Sequence, residues 1–195
     1  MRDAAAHLRW TASLLIAAGC LAGCLDHRLA PDDEAAGGVD ASGVFIALQT
    51  DFAHFEDWMP FETEVMAEHG SASGTITEYL NKMPEADSSE FPVGTIIVKT
   101  VETKDGPSKE IHAMVKRGGD FNKRGALGWE FFELQKNSKG TPVIAWRGTA
   151  PPNGERYKNL LNPDANTMEA DCNGCHEGTN NDAVLSAVLD LAELP

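Results

Sequence analysis

The sequence predicts an α+β fold that is mainly an antiparallel sheet of about five strands, with flanking helices at the chain ends. Three observations carry this. Between residues 75 and 147, runs of β-branched and aromatic residues follow one another across short turns. Helical spacing of apolar residues is confined to the regions before and after those runs. No run is followed by the helical pattern that a βαβ unit would need. The chain has 195 residues, 42% hydrophobic and 24% charged, which suits one packed domain. Its formal charge of −14 argues against non-specific nucleic-acid binding and against docking on anionic lipid by charge alone. Four cysteines are too few for a disulfide scaffold.

The first 23 residues read as a leader. Arg2 and Arg9 make its start positive, and residues 10–21 form an apolar run too short to span a bilayer. The run ends in Leu21-Ala22-Gly23-Cys24, which resembles a bacterial lipobox; the earlier Ala17-Ala18-Gly19-Cys20 lacks the leucine three places before the cysteine. Cys24 is therefore the expected lipidation site, with an ordinary secretory signal as the alternative. Diacylglycerol plus an N-acyl chain is enough for stable anchoring. Such an anchor would place the protein in the bacterial cell envelope, on the periplasmic side. Residues 24–43 are acidic, rich in small residues and without apolar period, as a flexible tether would be. Residues 44–195 remain for the folded domain.

Within that domain, Phe52, Phe55, Trp58, Met59 and Val65 can line one face of a helix over about residues 51–67. Strands are expected at residues 75–80 (TITEYL), 94–101 (GTIIVKTV), 111–116 (IHAMVK), 129–134 (WEFFEL) and 141–147 (TPVIAWR). Turns fall at residues 104–107 and 138–140. A short helix is expected over residues 155–161. Another comes after residue 181, where Val184, Leu185, Val188 and Leu191 recur at helical spacing and Asn181 or Asp182 can cap it.

Residues 172–176 read Cys-Asn-Gly-Cys-His, the pattern of c-type haem attachment. Two residues between the thiols let both sulfurs reach the vinyl groups of one haem, and the histidine directly after them can meet the iron from the same side. Cys172 and Cys175 are then the covalent anchors and His176 the axial iron ligand. A structural zinc would want a second ligand pair, and no further cysteine pair exists in the mature chain. A redox dithiol would want a strand-to-helix junction in a βαβ pattern. Export favours haem, because attachment takes place outside the cytoplasmic membrane.

Four pieces in order, residues 91–99 (FPVGTIIVK), residues 112–116 (HAMVK), residues 128–131 (GWEF) and the Cys172 to His176 motif, resemble the cytochrome P-460 family. The resemblance covers about residues 75–180. It implies a five-stranded antiparallel sheet with helices around it, one covalently attached haem c and a homodimer. The distal site would be open to a small nitrogen-oxide ligand such as nitric oxide or hydroxylamine. One branch of the family oxidises hydroxylamine and carries a lysine cross-linked to the haem. The cytochrome c-prime-beta branch lacks the cross-link and binds nitric oxide in an apolar pocket.

On that resemblance Lys99 stands at the place of the cross-linking lysine, near the haem. By strand period it shares a face with Ile97 and Thr95. His112 stands where the hydroxylamine-oxidising members carry a distal carboxylate. It could accept a proton there or ligate the iron, and it shares a face with Met114. Replacing carboxylate by imidazole departs from the oxidase pattern. Phe131 would line the haem site and exclude water, and Arg147 could meet a propionate. Ordinary core packing is the competing reading for Phe131 and His112, and a strand-edge lysine for Lys99. Lys116, Arg117, Lys123 and Arg124 form one basic cluster that could serve the propionates or an acidic partner.

Three functions are consistent with these residues. The first is a ligand-binding haem protein or an oxidoreductase acting on hydroxylamine or nitric oxide. The second is an electron-transfer cytochrome, six-coordinate through His112, Met114 or Lys99 and docking a redox partner protein. A structural or sensory haem is a third.

Overall fold

Period-two alternation places every second side chain of a strand on the same side, so a sheet covered on both faces needs apolar residues at both parities. Residues 96–98 (Ile-Ile-Val) and 129–134 meet that demand, and both lie in the middle of a sheet. The structure is a computed structural model that describes residues 43–65, 74–103, 106–107, 111–158 and 169–195, all within a unit running from Glu34 to Pro195. Its strands are β1 (Met59–Val65), β2 (Gly74–Leu80), β3 (Ile96–Thr103), β4 (Gly106–Pro107), β5 (Ile111–Lys116), β6 (Trp129–Lys136) and β7 (Pro142–Gly148). Six of them run in the order β1-β2-β3-β5-β6-β7, every neighbouring pair antiparallel, and the two-residue β4 pairs with the end of β3. The middle of the chain is thus the meander that the consecutive runs predict. An irregularity at Glu133/Leu134 leaves Ala145 as an extra residue on β7.

One face of the sheet buries Ile96, Val98, Ala113, Val115, Phe132 and Leu134 beneath Phe45, Ala47, Phe52 and Phe55. The other buries Leu80, Ile97, Met114, Trp129 and Phe131 beneath Phe91 and the C-terminal residues Ala183, Val184 and Leu189. Trp129 to Leu134 are all buried, which explains why that run shows no alternation.

The helices depart from expectation. Residues 51–67 do not form one helix. Two 3-10 turns, Gln49–Phe52 and Phe55–Asp57, bury Phe52 and Phe55, and the chain then enters β1, a sixth strand. Pro60 cannot donate a helical hydrogen bond and disfavours the helical region for Met59, whereas an edge strand accepts it. At residues 155–161 the described part holds a 3-10 turn, Pro152–Gly154, and a two-residue strand β8 (Tyr157–Lys158) paired with β9 (Glu169–Ala170). Residues 159–161 fall outside the described set.

The helix expected after residue 181 is absent too. Asn181 turns its side chain onto the backbone, its Nδ2 donating to the carbonyls of Leu189 at 2.6 Å and Val184 at 3.3 Å. Its Oδ1 accepts from Leu191 N at 2.9 Å. A side chain that satisfies the local backbone in this way competes with the helix. Asp182 and Ala183 moreover have φ of +47° and +62°, outside any right-handed helix. The one α-helix among the described residues is α1 (Cys172–His176). The leader, Cys24 and the tether through residue 42 fall outside the described residues. Among those described, no helix is long and apolar enough to cross a membrane.

Candidate functional site

Helix α1 begins at Asp171, whose carboxylate accepts from Gly174 N at 2.8 Å. This single turn puts Cys172 and Cys175, both free thiols, on one side at a spacing of three. Between them Asn173 docks the helix to the loop before β6. Its Oδ1 accepts from Asn122 Nδ2 at 2.7 Å and from Ala126 N at 3.1 Å. Its Nδ2 donates back to Asn122 Oδ1 at 3.1 Å.

His176 closes the helix. Its Nδ1 lies 2.8 Å from the carbonyl of Ala183. A carbonyl can only accept, so Nδ1 carries the proton and Nε2 keeps its lone pair. Burial first, then the Lys99 charge, pull its pKa down to about 4 against the pull of the Ala183 bond, so the ring is neutral at pH 7. A neutral imidazole with Nδ1–H tied to a carbonyl is the form in which histidine ligates a metal. The thiols are pushed the other way. Burial and the neighbouring Asp171 raise Cys172 to about 12, and burial raises Cys175. Dithiol redox chemistry needs a lowered pKa, so the thioredoxin-like reading loses support.

The sheet face below the motif carries a row of polar residues, one per strand. Glu78 on β2 stands opposite Lys99 on β3, Lys99 opposite His112 on β5, and His112 opposite Glu133 on β6. Glu133 stands opposite Trp146 on β7 and accepts from its indole at 2.8 Å. Ser186, from the C-terminal segment, donates to Glu78. Flanking the row are the buried Ile97, Met114 and Phe131. Burial lowers the pKa of Lys99, countered by Glu78 and by any charge on Cys175 and Cys172. Burial and the Lys99 charge lower His112 to about 4, and the Glu133 carboxylate opposes them. Burial raises Glu78. The row is thus an apolar enclosure in which Glu78, Lys99 and His112 are each pushed towards the neutral form.

The fold therefore brings Lys99 and His112 side by side and sets both within electrostatic reach of the motif. Phe131 is 5% exposed, and its ring centroid lies 5.0 Å from that of His176. It packs on the imidazole itself. Arg147 goes to the opposite face, where it bonds Glu130 at 2.6 and 2.8 Å and the Ala47 carbonyl at 2.8 Å. Strand parity sends it there, one residue from Trp146. The basic cluster is divided in the same way. Lys116 is buried against Asp182, Arg117 bonds Glu130, and Lys123 pairs with the exposed Asp120.

Several residues of the site escaped the sequence reading. Glu78 lies at the parity of Ile76 and Leu80, and Glu133 at that of Trp129 and Phe131. A carboxylate inside an apolar parity is a readable signal. Asn173, Asn122 and Asp182 give no such signal, because their partners are far away in sequence.

The three groups Cys172, Cys175 and His176 fit a covalently held haem: two thiols on one side of a helix turn, a pre-oriented neutral imidazole, and an apolar face beside them. No protein-family model, no curated protein and no solved structure matches this chain.

Proposed function

We propose that this chain is a membrane-anchored periplasmic mono-haem cytochrome of the P-460 type that binds or converts a small nitrogen-oxide ligand, nitric oxide or hydroxylamine. The observation that carries the reading is the bond from His176 Nδ1 to the Ala183 carbonyl, on the helix that presents Cys172 and Cys175. It readies one imidazole nitrogen for iron beside two thiols spaced for haem. Cys172 and Cys175 would hold the porphyrin and His176 the iron. When bound, the haem supplies an iron that takes up the ligand and exchanges electrons with it.

The chain's own residues supply the rest. Phe131 and Met114 keep water from the site. The imidazole of His112 is neutral at pH 7 and can accept a proton released by a bound substrate. Lys99 beside it, desolvated in the same row, can pass or hold that proton towards Glu78. Cys24 would carry the lipid anchor and residues 24–43 the tether. As in the family it resembles, the protein would work as a homodimer.

The position of His112 and Lys99 also supports a second reading. Either can offer a lone pair, and a chain that closes its iron with one of them would be an electron-transfer cytochrome serving a redox partner. Absorption spectra of the full-length, membrane-derived protein separate the two. A five-coordinate ferrous haem that binds nitric oxide and carbon monoxide is expected. A low-spin spectrum indifferent to both overturns the ligand-binding reading in favour of electron transfer. Haem staining on a denaturing gel tests the premise, and stain that persists after Cys172→Ala with Cys175→Ala would exclude attachment at this motif.

A further inference from the structure

Ala183 holds the carbonyl that orients His176, and its own backbone sits at φ +62°, directly after Asp182 at φ +47°. Two successive non-glycine residues in the left-handed region are strained, and such a conformation persists only where the surroundings over-determine it. The surroundings here all converge on Asp182. Its Oδ1 takes Lys116 Nζ at 2.5 Å, its Oδ2 accepts from Phe91 N at 2.9 Å, and its main-chain carbonyl accepts from Trp129 Nε1 at 2.7 Å.

The three donors form one cluster. Lys116 Nζ lies 5.3 Å from the Trp129 ring centroid, and Phe91 meets Trp129 edge-on at 5.9 Å. The ion pair is buried, with side-chain exposures of 7% for Lys116 and 9% for Asp182. Lys116 and Trp129 are opposed ends of β5 and β6, so the anchor is part of the sheet itself.

We infer that Asp182 is a positioning residue for the axial histidine: through its three bonds it clamps the 182–183 backbone in the left-handed region and so fixes the Ala183 carbonyl that accepts from His176 Nδ1. The inference rests on the haem reading of the motif. The bond from Nδ1 makes the imidazole more electron-rich, which favours the oxidised iron. Loosening the clamp should lengthen that bond, free the Nδ1 proton to exchange and raise the reduction potential.

The test uses the full-length haem-loaded protein and two variants, Asp182→Asn and Lys116→Gln. Asp182→Asn keeps the size of the side chain and removes its charge. Lys116→Gln leaves Asp182 in place without its cation, so it carries the test if the first variant does not fold. Glu130→Gln, which breaks the two ion pairs of the opposite face, is the control for plain destabilisation. The readouts are the midpoint potential and the deuterium exchange rate of the hyperfine-shifted His176 Nδ1–H. A higher potential and faster exchange in both folded variants, with the control unchanged, is the expected result. Wild-type potential and exchange in variants that retain covalent haem overturn the inference and leave the haem reading standing. A wild-type chain without covalent haem overturns both.

Discussion

Asn173 and Asn122 hold each other through both ends of their amides, at 2.7 and 3.1 Å, across 51 positions of sequence. A side chain between the two motif cysteines thus pins the motif helix to the loop that leads into β6.

The same contact makes Gly125 indispensable. A Cβ at that position would lie 2.2 Å from Asn173 Cγ and 2.3 Å from its Oδ1. Those atoms are already held by Asn122 and Ala126, so they cannot yield cheaply. Gly125→Ala should destabilise the domain by about 2 kcal/mol, as overpacking with loss of buried hydrogen bonds does. Asn173→Ala should cost a similar amount. Denaturant melts measure both, and Gly125→Ala combined with Asn173→Ala should cost less than the sum of the two. Full additivity would contradict the docking contact.

Acid should weaken the fold through His112. Its folded pKa is about 4, against 6.5 for an ordinary histidine. The unfolded chain therefore takes up a proton below pH 6.5 that the folded chain refuses until about pH 4. The stabilisation from keeping the ring neutral is complete above pH 6.5 and lost as pH falls through this window. It amounts to at most about 3 kcal/mol. His112→Gln should flatten the stability-against-pH curve between pH 4 and 6.5, and parallel curves for variant and wild type would refute the assignment.

Lys99 is one cause of that depressed value. Lys99→Met removes a positive charge directly across the ladder from His112 and should move its pKa up from about 4. The ring-proton shifts of His112, followed by NMR against pH, give the answer. An unchanged midpoint would mean that the Lys99 charge has no part in the value.

Glu130 serves the opposite face. Its side chain is 5% exposed, and it bonds Arg147 at 2.6 Å and Arg117 at 3.3 Å. Glu130→Gln leaves two guanidiniums short of a counter-charge. Both are partly open to water, so a loss of about 2 kcal/mol is expected, below the range for a fully buried pair. Thermal melts should show this loss while the absorption spectrum of the haem-loaded protein stays as in the wild type.

Local chemistry made the strands legible. Thr75 to Leu80, Ile111 to Lys116 and Trp129 to Leu134 are β-branched or aromatic runs closed by turn residues, and each forms where the pattern places it. The helices were misjudged where a periodicity was real but incomplete. Phe52 and Phe55 do share a face, yet Pro60 commits the residues around it to a strand. Val184 and Leu189 are buried, through turns that Asn181 imposes by bonding the backbone of both.

By itself the sequence determined the meander, the motif Cys172 to His176 and the parity that groups Lys99 with Ile97, His112 with Met114 and Phe131 with Trp129, because spacing and strand period are local properties of a chain. Only the tertiary structure decided the register that aligns Glu78, Lys99, His112 and Glu133 in one row, and the partners of Asn173 and Asp182. These depend on hydrogen bonds and packing between residues dozens of positions apart, where residue type says that a partner is needed and not which one it is.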